Sequence, residues 1–237
     1  LHDIAYKNGQ YVVVGDGGLI AVAGPSGGFN KVESGTKNAL LSVAVYGHMY
    51  VAVGCNGTVL TSTDGLKWTP LSVGVQNHFI SVSAAGDTCL AVTREGQVLR
   101  MTGPSEWTVI DYNETHKNLA TLVHMRGIAS VSDRYYILAT ALDNEDMPVV
   151  FSTTKGELYT ELNLERINDT LSGEFWPIRP NDALLFGDQV LVGADGGKLL
   201  TITDCSQCTK LSTTGDYNIN GMASSPSGDV VVVGDGF

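Results

Sequence analysis

Tyr11-Val12-Val13-Val14-Gly15-Asp16-Gly17-Gly18-Leu19-Ile20 decides the fold, because it returns. The same phrase stands at Tyr50-Val51-Ala52-Val53-Gly54-Cys55-Asn56-Gly57-Thr58-Val59 and at Cys89-Leu90-Ala91-Val92-Thr93-Arg94-Glu95-Gly96-Gln97-Val98, a spacing of 39 residues. A looser copy runs from Gln189 to Leu199, and Val230-Val231-Val232-Val233-Gly234-Asp235-Gly236-Phe237 opens another. A repeat of this length that carries several short strands is the signature of a β-propeller.

The second copy shows the unit. Leu41–Val45 reads as strand A and Tyr50–Val53 as strand B, an apolar run suited to burial on both faces. Asn56-Gly57 turns the chain, Thr58–Thr63 reads as strand C, and Lys67–Leu71 as strand D with Trp68. Applied along the chain, the pattern predicts an all-β propeller of four-stranded antiparallel blades in a single domain, 1–237. Five blades are expected at about 1–40, 41–79, 80–126, 127–181 and 182–219, and a partial sixth at 220–237. Phe29, Trp107 and Tyr159 fall at the place of Trp68, and Cys208 takes it in copy five. The missing strands C and D of copy six suggest an excerpt of a longer chain, a homo-oligomer or filament in which another chain donates strands, or a half-blade that caps a five-bladed ring.

At 43% hydrophobic and 16% charged, the composition is that of a globular chain. The formal net charge of −11 argues against nucleic acid and anionic membrane surfaces as partners. No apolar run is long enough for a membrane span, so membrane insertion is not expected.

Cys205-Ser206-Gln207-Cys208 leaves three readings: a disulfide across a turn, a redox pair, or half of a metal site. A local disulfide is the expectation, with Cys55 and Cys89 not paired to each other. The sequons at Asn56, Asn113 and Asn168 fall in expected turns or loops, where a glycan fits. Disulfide and sequons together favour a secreted or extracellular protein.

Insertions into a regular repeat are where function is grafted. Residues 111–126, 141–148 and 163–181 are the long ones, and all are expected on the face shared by B–C turns and D–A connections. They nominate Tyr112, Arg126, Asp143, Glu145, Asp146, Trp176 and Arg179 as binding residues. Aromatics with carboxylates and amides suit sugars, and arginine suits a carboxylate; the partner is expected to be a protein or a glycan. The acidic turn Asp143-Asn144-Glu145-Asp146 could hold Ca²⁺, although its spacing matches no EF-hand; otherwise no cofactor or metal is expected. The five histidines show no metal spacing, and no nucleophile elbow or Walker loop is present.

Thr61-Ser62-Thr63-Asp64-Gly65-Leu66-Lys67-Trp68 resembles the Asp-box (BNR) turn of sialidase-type propellers. The phrase from Val51 to Thr69 resembles repeats of the photosystem II assembly factor and of related bacterial and phage propellers. The resemblance implies that Ser62 and Asp64 pin the C–D turn and that the aromatic fills the gap between blades, both structural roles. Only copy two carries the whole turn. A sialidase-type glycoside hydrolase would need three arginines drawn from around the ring, whereas Arg94, Arg100, Arg126, Arg134, Arg166 and Arg179 cluster in copies three and four. The leading expectation is therefore a non-catalytic extracellular recognition or structural module. An assembly-factor-like intracellular or plastid scaffold is the alternative, and a glycoside hydrolase ranks behind both.

Overall fold

Pairing of the apolar repeat strands builds four-stranded antiparallel meanders, and the chain is an all-β propeller. The computed structural model describes residues 1–25, 27–104, 106–112, 123–131, 133–141, 148–155, 160–161, 180–186, 189–204, 207–213, 217–224 and 230–234. The chain forms two compact units, Leu1–Tyr112 and Asn113–Phe237.

The first unit holds three blades. They are β1 (Asp3–Lys7), β2 (Gln10–Gly15), β3 (Leu19–Ala23) and β4 (Asn30–Val32); β5 (Leu40–Tyr46), β6 (Met49–Gly54), β7 (Val59–Ser62) and β8 (Thr69–Pro70); and β9 (Phe79–Ala85), β10 (Thr88–Thr93), β11 (Gln97–Met101) and β12 (Trp107–Asp111). The second unit holds β13 (Val123–Val131), β14 (Arg134–Ala141), β15 (Pro148–Thr153) and β16 (Thr160–Glu161); then β17 (Pro180–Phe186), β18 (Gln189–Ala194), β19 (Lys198–Asp204) and β20 (Gln207–Thr213). A two-stranded sheet follows, β21 (Ile219–Ser224) with β22 (Val230–Gly234).

Strand β6 shows why the B strand is apolar throughout. Tyr50 and Ala52 pack with Ala5, Val12, Val14, Ile20 and Val22 of the first blade. Met49, Val51 and Val53 pack with Phe79, Val82, Cys89, Ala91 and Leu99 of the third. Alternate side chains point to opposite faces, so a strand between two blades buries both sets. Each Val, Ile, Leu, Phe or Met buried in this way contributes about 1.5–3 kcal/mol.

Polar contacts mark the seams at fixed places in the repeat. Asp3 Oδ2 accepts from Ser42 Oγ at 2.7 Å and from the Val43 N–H at 2.9 Å. Ser42 Oγ accepts from the Val82 N–H at 3.2 Å, and Asp182 Oδ2 from the Met222 N–H at 2.6 Å. At the A–B turns, Lys7 Nζ donates to His48 O at 2.7 Å and Tyr46 Oη donates to Asp87 O at 2.8 Å, equivalent reaches one repeat apart.

In the B–C turn of the second blade, Gly57 has a packing cause. Gly57 sits at φ +66°, and a Cβ there would meet Val75 O at 1.7 Å, because the D–A connection into the third blade crosses that turn. Its N–H donates to Asn77 O at 3.0 Å.

Candidate binding edge

Every described A strand from the second blade onward carries one extra residue at the same phase. Partners jump from Leu40↔Gly54 to Ser42↔Val53, leaving Leu41 extra. Likewise Ile80 is extra in β9, Arg126 in β13, Asn181 in β17 and Asn220 in β21. A bulge of this kind leaves one residue out of the ladder and re-aims its side chain. The phase brings it to the start of strand A, the edge that also carries the B–C turns and D–A connections.

In the first unit the bulge residues Leu41 and Ile80 are apolar; in the second they are Arg126, Asn181 and Asn220. Arg126 and Asn181 are half-buried and Asn220 is exposed. Asn181 Nδ2 donates to Asp195 Oδ1 at 2.7 Å, and Asn218 Oδ1 accepts from the Gly196 N–H at 3.0 Å. Here the second unit offers a guanidinium and amides, groups that bind carboxylates and peptide carbonyls. Two insertions spring from the same edge: 141–148 joins the end of β14 to the start of β15, and 163–181 runs into β17.

The residues nominated from sequence fare differently. Tyr112 is 1% exposed, and its N–H donates to Gly96 O at 2.8 Å, so its ring is core and not a contact surface. Arg126 occupies the β13 bulge. Asp143, Glu145, Asp146, Trp176 and Arg179 lie outside the described residues, as do Tyr159, Asn113, Asn168 and Cys205. Cys208 pairs through its backbone with Ile202, and its side chain lies outside the described set. Cys55 and Cys89 are free thiols; burial pushes the Cys89 thiol up to about 12.

The turn of the second blade is closed by its own side chains. Asp64 Oδ1 accepts from the Leu66 and Lys67 N–H groups, each at 2.8 Å, and from Ser62 Oγ at 3.1 Å. The Gly65 N–H donates to Ser62 Oγ at 2.9 Å, and Trp68 Nε1 donates to Gly65 O at 2.9 Å. These N–H donors hold the Asp64 carboxyl below its usual range. Trp68 thus belongs to the turn and not to a D strand, which is only Thr69–Pro70. It packs on the core between the first two blades, and Trp107 on the next. Phe29, assigned the same place, is 52% exposed and so does not fill a gap as Trp68 does.

Asn56 is exposed at φ +55°, with its Nδ2 donating to Asn38 Oδ1 at 3.2 Å. Among the described residues, no group of three His, Cys, Asp or Glu side chains could hold a metal ion. No helix among them is long and apolar enough to cross a membrane.

The bulge phase is the signal that sequence reasoning missed. His2, Leu41 and Ile80 recur at the repeat spacing, as do Asn181 and Asn220, and each directly precedes the residue (Asp3, Ser42, Ser81, Asp182 or Gly221) from which the A–B ladder runs unbroken.

No family model matches this sequence, and no match was found among curated proteins. Solved structures are similar in fold. YCF48 bound to D1 peptide superposes with a TM-score of 0.68 at 14% identity, over 98% of this chain and 74% of that one. YCF48 from Cyanidioschyzon merolae gives 0.54 at 14% identity, over 99% of this chain and 92% of that one. The WD40 β-propeller domain of Doa1 gives 0.67 at 10% identity, over 98% and 74%. At these identities the likeness establishes the propeller and nothing finer.

Proposed function

We propose that this chain is a non-catalytic protein-binding propeller, a scaffold or assembly factor that holds a partner at the edge carrying its B–C turns. The observation that carries this reading is the bulge series, in which Arg126, Asn181 and Asn220 take the place that Leu41 and Ile80 hold in the first unit. A guanidinium beside amides suits a carboxylate-bearing peptide, and the long insertions start from the same edge. The solved YCF48 complex with a peptide lends the reading support by analogy of fold. The Asp-box turn around Asp64 fits a structural role within it. The extracellular form of the proposal rests on the sequons at Asn56, Asn113 and Asn168 and on the Cys205–Cys208 spacing.

Affinity capture from the native source tests it. The chain should retain one protein in stoichiometric amount. Trp176→Ala, Arg179→Ala and Arg126→Ala should each weaken retention while circular dichroism shows the sheet intact. Loss of retention from Lys67→Ala alone would move the site to the opposite edge. Binding to a glycan array without any protein partner, or turnover of a sialoside, would overturn the proposal. Intact mass before and after reduction and deglycosylation decides the compartment.

Self-association is a second reading. Ile4, Tyr6 and Tyr11 are 51%, 58% and 41% exposed, although their equivalents Val43, Val45 and Tyr50 pack against the first blade. Val231 and Val233, equivalents of Val12 and Val14, are 61% and 58% exposed. Within their own units these exposed side chains are of the types that form the two sides of one seam, and sedimentation over a range of concentrations tests whether copies join through them.

A further inference from the structure

Three Asn-Gly dipeptides occur, Asn8-Gly9, Asn56-Gly57 and Asn220-Gly221, and the fold treats them differently. We infer that Asn8 is a site of spontaneous deamidation that ages the seam between the first two blades, whereas Asn56 is shielded from the same chemistry by the strand connection crossing it.

The reaction needs only water. The glycine backbone nitrogen gives up its proton and attacks Cγ of the asparagine, a C–N bond forms, and the tetrahedral adduct takes up a proton on Nδ2 and expels it as ammonia to leave a succinimide. Water then opens either carbonyl of that ring. One opening yields aspartate. The other yields isoaspartate, in which Cβ has entered the main chain. Either product carries one more negative charge at neutral pH. Glycine offers the least hindrance to ring closure, so the three dipeptides start out alike in an unfolded chain.

At Asn56 the attacking nitrogen is occupied. The Gly57 N–H donates to Asn77 O at 3.0 Å, the Asn56 N–H donates to His78 Nδ1 at 3.0 Å, and the Asn56 amide donates to Asn38. The connection into the third blade must lift before the ring can close. Gly221 is held in the β21–β22 ladder opposite Val233. Asn8 is exposed at the tip of a two-residue turn between Lys7 and Gln10, with φ +51° at Asn8 and +82° at Gly9. Those signs are the ones a primed hairpin turn requires. Among the described residues a Cβ at Gly9 would meet only the Pro25 side chain, at 3.3 Å, and no backbone carbonyl as at Gly57, so the opening of this turn is a local event.

The two residues flanking that turn latch the first blade to the second. Lys7 Nζ donates to His48 O and to Thr63 O at 3.0 Å, and it stands 4.3 Å from the Tyr50 ring centroid. Gln10 Nε2 donates to Asp64 O at 3.1 Å, while Gln10 Oε1 accepts from Tyr50 Oη at 2.9 Å. A methylene inserted into the turn between them changes its length, and both reaches must shift.

The full chain, produced in a bacterial host so that Asn56 carries no sugar, is aged in mildly alkaline buffer and mapped by peptide mass spectrometry. In the folded protein Asn8 should convert at least about tenfold faster than Asn56, and in concentrated urea the two rates should converge. Asn56 reacting as fast as Asn8 in the folded protein, or a difference that persists in urea, overturns the inference. Isoaspartyl protein resolved from the aged sample should unfold at a lower temperature than the Asn8→Asp variant, which adds the charge without lengthening the backbone. Equal unfolding temperatures would refute the effect on the seam.

Discussion

Asp3 and Ser42 stand at the same position of consecutive repeats, and the first accepts a hydrogen bond from the second at 2.7 Å. Ser42 in turn accepts the N–H of Val82, one repeat further on. A single phase of the repeat thus supplies the acceptor that joins β1 to β5, β5 to β9 and, through Asp182, β17 to β21. A neutral hydroxyl serves at one seam and a carboxylate at another.

The carboxylate carries a cost that the hydroxyl does not. Burial pushes the Asp3 pKa up, and the N–H of Val43, the Ser42 hydroxyl and the N–H of Ile4 pull it back only in part. A folded pKa above the unfolded one means the group favours folding most below its unfolded pKa of about 3.8 and loses that contribution as pH rises through the folded value. Asp3→Asn keeps an acceptor for Val43 and should flatten the pH dependence above that point, with neutral-pH stability equal to or better than wild type. Asp3→Ala orphans the Val43 N–H and should cost about 1–3 kcal/mol at neutral pH. Denaturant unfolding across pH measures both.

Asp64 behaves in the opposite sense. Its folded pKa is depressed, so its contribution is present above the unfolded pKa and is lost as pH falls through the folded value, below the ordinary 3.8. Asp64→Ala should lower Tm at neutral pH and abolish the part of the acid-induced loss that Asp64 causes. An unchanged neutral Tm would mean that the turn is held without it.

Two left-handed glycines separate backbone strain from packing. Gly17, at φ +65°, has open space where a Cβ would go. Gly17→Ala should cost only the conformational penalty, about 1–2 kcal/mol. Gly57→Ala adds a collision with Val75 O and should exceed that loss clearly, with faster hydrogen exchange at the Gly57 and Thr58 amides. Equal losses would show that the crossing connection yields freely.

The free thiols should differ in reactivity. Cys89 is buried, and its pKa stands at about 12, whereas Cys55 is half-buried at a turn. An alkylating reagent should label Cys55 in the folded protein and reach Cys89 only after unfolding. Labelling of both at one rate would place Cys89 in an opening segment.

The repeat by itself determined the blades and most strand positions. An apolar run of four at a fixed spacing can be satisfied only by a sheet covered on both faces, and β5, β6 and β7 fall within one residue of the spans read for the second copy. Local chemistry near Ser62–Trp68 was equally legible, because its partners lie within a few residues. What the sequence could not disclose depends on contacts between repeats. The bulge that sets Arg126 and Asn181 apart from the ladder arises from the register of one strand on another. The burial of Tyr112 and the exposure of Phe29 depend on what covers each ring, which residue type alone does not settle. Only the tertiary structure pairs Asp3 with Val43 or lays the Asn77 carbonyl on Gly57, because those groups meet only when neighbouring blades stack.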